Sequence, residues 1–212
     1  RRQRQMCIRD RGISAHTETF PNALKIAEIA KAVNPEVSVV IGGPHVTFRP
    51  EDALVSKHID VVVRGEGELT MLELTNCLLR EQGEIEEING ISFKQDNRII
   101  SNPDRPLIQN LDGLPYPARH LFRLEAYPYP GLISSARGCP YQCIFCAAGA
   151  MSGKKYRTRS PENILGELLS LYNHFGIKYF NFIDDTFTVY PERTIKICDL
   201  MMENGLNVQW AC

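Results

Sequence analysis

Apolar residues in this chain recur in two rhythms that alternate. Short, mostly apolar runs, such as residues 37–41 (Val-Ser-Val-Val-Ile) and 60–63 (Asp-Val-Val-Val), predict buried strands. Between them lie longer segments with helical spacing. Residues 21–33 carry Leu24, Ala27 and Ala30 with Ile26, Ile29 and Val33 on one broad apolar face, which predicts a helix. Residues 12–14 read as the end of a strand. Gly42-Gly43-Pro44-His45 reads as a tight turn, residues 50–56 as a short helix and residues 68–82 as a longer one. Strands alternating with helices at this spacing imply a parallel α/β sheet.

The pattern changes at residue 88. Asn89-Gly90 and Asp96-Asn97 are turn signals between short apolar segments, so residues 88–100 predict β-hairpin structure. Residues 102–119 hold Pro103, Pro106, Pro115 and Pro117 and read as a linker. A second alternating region starts near Pro130. A strand at 132–135 is followed by a helix that opens at Ser160-Pro161-Glu162, with Ser as N-cap and Pro at the first helical position, and stops at Gly176. Strand 178–183 ends in Asp184-Asp185, a helix covers 191–204, and a third strand starts at 207–211. The β-α-β-α-β series has no closing partner, so the region is expected to be cut in mid-fold. The basic run of residues 1–11 is expected to be a non-native or disordered leader, and Cys7 is given no function.

The chain has 212 residues, 43% hydrophobic and 23% charged, with a formal net charge of −1. That profile is a soluble globular protein without a strong pull toward nucleic acid or anionic membrane. No apolar run reaches the roughly 20 residues of a membrane span, and no signal peptide is visible, so the expected compartment is the cytoplasm.

Cysteine usage sharpens this. There are seven, an odd number, and Cys139, Cys143 and Cys146 are clustered at C-x3-C-x2-C spacing. A disulfide framework would spread an even number through a small domain, whereas this pattern fits one metal or cluster site in a reduced compartment. Cys77 and Cys198 sit at apolar helix positions and are read as small core residues. Structural zinc takes four ligands; His120 and His174 lie too far from the triplet in sequence to complete the set. Thiolate ligation with one open position suits a 4Fe–4S cluster better, with zinc as the alternative. The run Lys154-Lys155-Tyr156-Arg157-Thr158-Arg159 has a basic-aromatic character that would suit RNA or phosphate, but it is short and unaccompanied. It is read as a solvated surface, with no nucleic-acid site.

The triplet Cys139-x3-Cys143-Ile144-Phe145-Cys146, placed after the first strand of a βα series, resembles the radical S-adenosylmethionine (SAM) enzymes. The resemblance implies that the three cysteines hold a 4Fe–4S cluster whose open iron binds SAM. It implies that Phe145 packs beside the adenine, and that Asp184 or Asp185, at the place of a Gly-Gly-Glu-like motif, faces the SAM amino group. In that family the reduced cluster cleaves SAM to a 5′-deoxyadenosyl radical that takes hydrogen from substrate.

The N-terminal half, with Val39-Val40-Ile41-Gly42-Gly43-Pro44-His45 and Asp60-Val61-Val62-Val63-Arg64-Gly65-Glu66-Gly67-Glu68, resembles the C-terminal part of a cobalamin-binding domain. Gly42 and Gly43 are the positions where backbone would approach the cofactor closely, although an ordinary tight turn explains them equally well. The chain contains no Asp-x-His-x-x-Gly signature, and His45 is read as a structural turn histidine.

The fold expected from both resemblances is α/β: a partial Rossmann-like cobalamin-binding domain (12–84), a hairpin and Pro-rich linker (85–129), then the first βα units of a partial radical SAM barrel (130–212). The implied activity is cobalamin-dependent methyl transfer to an unactivated carbon. A radical cyclase or rearrangement enzyme with non-methylating cobalamin, and a non-catalytic iron–sulfur or zinc module, are the alternatives. The implied partners are a small-molecule substrate and an electron donor such as ferredoxin or flavodoxin. Alone, an incomplete barrel is expected to be inactive.

Overall fold

The computed structural model describes residues 10–80, 82–96 and 98–212. The chain divides into two units, one ending at Leu107 and the other spanning Ile108–Cys212.

The first unit follows the order β1 (Asp10–Ser14), α1 (Phe20–Val33), β2 (Ser38–Gly42), α2 (Pro44–Phe48), α3 (Pro50–Leu54), β3 (Val61–Val63), α4 (Gly67–Arg80), β4 (Ile91–Gln95) and β5 (Arg98–Ser101). Among the described residues the strands form one sheet in the order β1-β2-β3-β4-β5, with β1, β2 and β3 parallel and the β4–β5 hairpin antiparallel. Strand β2 explains its mostly apolar run. Val39 and Ile41 face a core of Ala23, Ala27, Ala30 and Val62. Val40 faces the opposite core, with Leu74, Ile91 and Phe93. A strand covered on both faces is apolar through its buried centre, Val39–Ile41, with Ser38 at its less buried end. Asp60 ties the layers together, because its carboxylate accepts from Val39 N at 2.7 Å and pairs with Lys31 Nζ at 2.8 Å.

Three expectations change here. Helix α1 buries only its alanine stripe; Ile26, Ile29 and Val33 are exposed. Alanines at 23, 27 and 30 carry so little bulk that the helix lies close on the sheet, and the larger residues beside them are left outside. The expected hairpin forms, but rather than standing outside the first domain it extends that domain's sheet: β4 pairs with β3, whose outer edge would otherwise carry unpaired backbone groups. Of the expected leader, residues 1–9, Cys7 included, lie outside the described residues, whereas Asp10 and Arg11 are already strand, paired with Ser38 and Val39.

The second unit contains β6 (Leu132–Ile133), β7 (Ala136–Arg137), α5 (Ala148–Ser152), β8 (Arg157–Thr158), α6 (Pro161–Phe175), β9 (Tyr179–Phe182), α7 (Pro191–Glu203) and β10 (Gln209–Ala211). Strands β10-β9-β6 are parallel neighbours, and β7 pairs antiparallel with β8. Helix α6 has the ends its sequence announces. Ser160 Oγ accepts from Asn163 N at 3.1 Å, Pro161 takes the first turn, and Gly176 closes the helix in the left-handed conformation. Its apolar face, Ile164, Leu168 and Leu171, packs with Ile133, Phe180 and Phe182 of the sheet and Ile197 of α7.

The basic run is not a solvated face. Lys154 and Lys155 are exposed, but Tyr156 and Arg157 are buried. Arg157 donates to the carbonyls of Ile108 (2.5 Å) and Ser152 (2.7 Å). Arg157 lies in β8 opposite Arg137 of β7, and its guanidinium is spent on these carbonyls rather than on solvent. No described helix is long and apolar enough to cross a membrane.

Candidate functional site

The three clustered cysteines lie together in space as well as in sequence. Cys139, Cys143 and Cys146 line one cavity of about 220 Å³, with Tyr141, Gln142 and Lys154 at its walls. Cys139 is buried and the other two are exposed. Among the described residues no three His, Cys, Asp or Glu side chains converge on a single ion position. A cluster takes one thiolate per iron, and a cavity edged by three separate thiols fits that donor set.

The loop is held at both ends. Gly138 enters it at φ +86°, and a Cβ there would run into the carbonyl of Lys155 and stand 2.9 Å from that of Gly153. Only glycine accepts both the angle and the approach. Cys139 N then donates to Gly153 O at 3.2 Å, Cys146 N to Cys143 O at 3.1 Å, and Ala148 N to Cys146 Sγ at 3.5 Å.

Behind the loop stands a polar network. The Asp184 carboxylate accepts from Ser135 N (2.7 Å), Ala136 N (3.0 Å) and the Ser135 hydroxyl. Arg193 donates to Ser135 O (2.6 Å) and Arg159 O (3.1 Å), and Arg159 donates to Ser134 O (3.0 Å). Burial pushes the Asp184 carboxyl above its ordinary range, opposed by the hydrogen bonds from Ser135 and Ala136 and by the Arg193 charge. Burial, then the neighbouring Asp184, pushes the Tyr156 phenol up to about 12. The strand leading into the cysteine loop is therefore gripped on its backbone from several sides.

Asp184 and Asp185, equivalent in the sequence reading, are separated by the structure. Asp184 is committed to Ser135 and Ala136, while Asp185 is exposed. Phe145 stands 89% exposed beside Ile144, which has no contact with the core. Thr186 and Arg193 were not singled out from the sequence, and Arg159 only as a member of the basic run 154–159. Their partners lie at distant positions, and nothing in local spacing marks them.

The first unit has a second concavity, about 500 Å³, at the C-terminal ends of β1, β2 and β3. Its lining includes Gly12, Gly42, Gly43, Gly65, Gly67 and Met71. Ligands of open parallel sheets bind at this edge, and glycine walls leave room for a bulky group. Gly43 sits at φ +104°, where a Cβ would lie 2.7 Å from Ala15 O, so the turn itself demands glycine. Gly42 is different: a Cβ there meets Val63 O at 3.5 Å and Val63 Cβ at 3.9 Å, ordinary contacts, so its missing side chain widens the cleft. Thr47 bridges the two glycine loops, its hydroxyl donating to Gly43 O (2.9 Å) and accepting from Gly65 N (3.1 Å). His45 is not part of this lining. It stacks on Phe20 at 4.1 Å and meets Thr17 and Asp52.

Comparison with known proteins follows this division. Residues 11–75 match the B12 binding domain model and residues 133–212 the Radical SAM superfamily model. The chain is 42% identical over 205 residues to an uncharacterized methyltransferase of Pyrococcus horikoshii, covering 94% of this chain and 44% of that protein. It is 31% identical over 211 residues to an anaerobic magnesium-protoporphyrin IX monomethyl ester cyclase of Rubrivivax gelatinosus, covering 94% of this chain and 37% of that protein. Among solved structures it superposes on OxsB, a cobalamin-dependent S-adenosylmethionine radical enzyme, with a TM-score of 0.76 at 21% identity, over 94% of this chain and 29% of OxsB. The chain thus spans less than half the length of each of these relatives.

Proposed function

Because the chain belongs to the radical SAM superfamily and carries a B12 binding domain ahead of its radical SAM domain, we propose that it is the cofactor-binding portion of a cobalamin-dependent radical SAM methyltransferase acting on an unactivated carbon. The observation that carries this reading is the set of three thiols edging one cavity after β6. A 4Fe–4S cluster, SAM and cobalamin, when bound, supply one-electron cleavage of SAM and a methyl carrier.

The chain's own residues have separate tasks. Cys139, Cys143 and Cys146 would hold a 4Fe–4S cluster and leave one of its irons open for SAM. Phe145, exposed next to Cys146, offers a ring for the adenine to pack on. Asp185 is the carboxylate left to face the SAM ammonium, a charge-assisted pair. Asp184, to which the resemblance gives the same task, already serves the loop through Ser135 and Ala136. Gly42 and Gly43 shape the floor of the cobalamin cleft. A cluster held by the three cysteines would take its electron from a donor of the ferredoxin or flavodoxin class, with the cytoplasm as the proposed compartment.

The test is anaerobic reconstitution with iron and sulfide. About four irons per chain and an electron paramagnetic resonance (EPR) signal that changes on adding SAM are expected. Stoichiometric zinc with no response to SAM would sink the reading, and so would full iron content in Cys143→Ala. The similarity to a cyclase supports radical cyclisation as a second reading. Label moving from the SAM methyl group to product separates methyl transfer from 5′-deoxyadenosine formation without label transfer.

A further inference from the structure

The turn after β9 reaches the cluster loop twice. Asp184 fixes the backbone of Ser135 and Ala136, as described above. Two residues later, Thr186 Oγ1 lies 3.8 Å from Cys139 Sγ. Cys139 is the buried member of the triplet, so water competes least for its sulfur. A metal-bound cysteine has lost its proton and can only accept; in the loaded protein the Thr186 hydroxyl is therefore the donor.

We propose that Thr186 donates a hydrogen bond to the cluster-bound Cys139 thiolate and raises the cluster's reduction potential. The inference rests on the reading of Cys139 as a cluster ligand. Hydrogen bonds to the sulfurs set the potentials of such clusters. Adding one electron makes the cluster more negative, and an O–H dipole pointed at a ligand sulfur stabilises that form more than the oxidised one. Thr186 is thus a tuning residue, acting on the cluster through Cys139. Asp184 keeps the turn where this contact is made, because its grip on Ser135 and Ala136 ties it to the strand that leads into Gly138 and Cys139. Among the described residues the two exposed cysteines have no such side-chain donor; Cys146 accepts the backbone N–H of Ala148 at 3.5 Å.

The experiment compares the reconstituted parent chain with Thr186→Val, which keeps the shape and removes the hydroxyl, and Thr186→Ser, which keeps the hydroxyl. Iron is counted first, and then each chain is titrated with dithionite against redox mediators while the reduced cluster is followed by EPR. Equal iron content is expected in all three. At the parent's midpoint, Thr186→Val should hold about tenfold less reduced cluster relative to oxidised, a shift of about 59 mV to more negative potential for one electron. Thr186→Ser should stay within a third of that shift. A Thr186→Val midpoint equal to the parent's, at full iron content, overturns the inference and leaves the cluster reading standing. A parent chain that takes up no iron overturns both. If Thr186→Val folds poorly, Thr186→Ala carries the same comparison, and an unshifted midpoint there is equally decisive.

Discussion

Replacing Glu167 should cost the second unit more than any single apolar truncation on its surface. This carboxylate is 2% exposed. It receives Arg119 Nη1 at 2.6 Å and Arg159 Nη1 at 2.5 Å, both from side chains only 11% exposed. The two guanidiniums also hold the strand that leads to the cysteines, Arg119 through Leu132 O (2.9 Å) and Arg159 through Ser134 O (3.0 Å). At an effective dielectric of ~20, each charge pair at about 4 Å is worth roughly 4 kcal/mol before desolvation is subtracted. Removing one partner of such a group leaves buried charge uncompensated, which costs about 3–5 kcal/mol. Glu167→Ala should therefore lower the unfolding free energy in urea by about 3–5 kcal/mol, a large part of the ~5–15 kcal/mol a domain has. The control is Glu125→Ala, which breaks the exposed Arg123–Glu125 pair at 3.8 Å and should change stability by about 0.5 kcal/mol or less. A Glu167→Ala cost below about 1 kcal/mol would refute the reasoning, because it would mean that Arg119 and Arg159 reach water without their counter-charge.

Gly138→Ala should fold yet lose most of its iron on reconstitution, because the new Cβ meets the carbonyls of Lys155 and Gly153 and displaces Cys139; full iron loading would refute it. Asp184→Asn should change the pH dependence of folding. The folded Asp184 carboxyl is raised above its unfolded value of about 3.9, so its contribution to stability is fullest below that pH and is lost as pH rises through the folded value. The variant should thus gain on the parent as pH rises from about 4, and parallel stability curves would count against the assignment. Tyr156→Phe should remove one phenol that titrates at about 12 in an ultraviolet absorbance titration. Stability should change by about 1 kcal/mol or less, because the buried hydroxyl has no partner among the described residues. Gly42→Leu should weaken cobalamin binding by about tenfold or more, measured by equilibrium dialysis, since its side chain has only the 500 Å³ cleft to enter.

What could be read from the sequence was local. The run 37–41 announced a strand buried on both faces, and β2 is one, with Val39 and Ile41 on one core and Val40 on the other. Ser160, Pro161 and Gly176 announced the ends of α6 because capping is decided within a few residues. The breadth of the α1 face was overestimated for the opposite reason. Periodicity shows which side of a helix is apolar, but the distance at which that side meets the sheet depends on the bulk of the contacting residues. With alanines at 23, 27 and 30 the contact narrows to them and excludes Ile26, Ile29 and Val33. The basic run at 154–159 failed similarly: charge suggests solvent until the carbonyls of Ser134, Ser152 and Ile108 are seen waiting for donors.

The candidate site divides along the same line. A cysteine triplet within eight residues is visible because the chain itself brings the thiols together. The groups that hold the loop in place come from far away: Ser135 and Asp184 are 49 positions apart, and Ser135 and Arg193 are 58 apart. No spacing rule joins such residues; the parallel pairing of β6 with β9 does, by bringing the end of one strand beside the end of the next. That pairing also settles how the two adjacent acids differ. Asp184 turns toward the backbone amides at the end of β6, where a carboxylate can satisfy several donors at once, while Asp185 is left facing solvent. In an acidic pair at the end of a strand, then, the residue free to meet a ligand is the one whose lone pairs the neighbouring strand has not already taken.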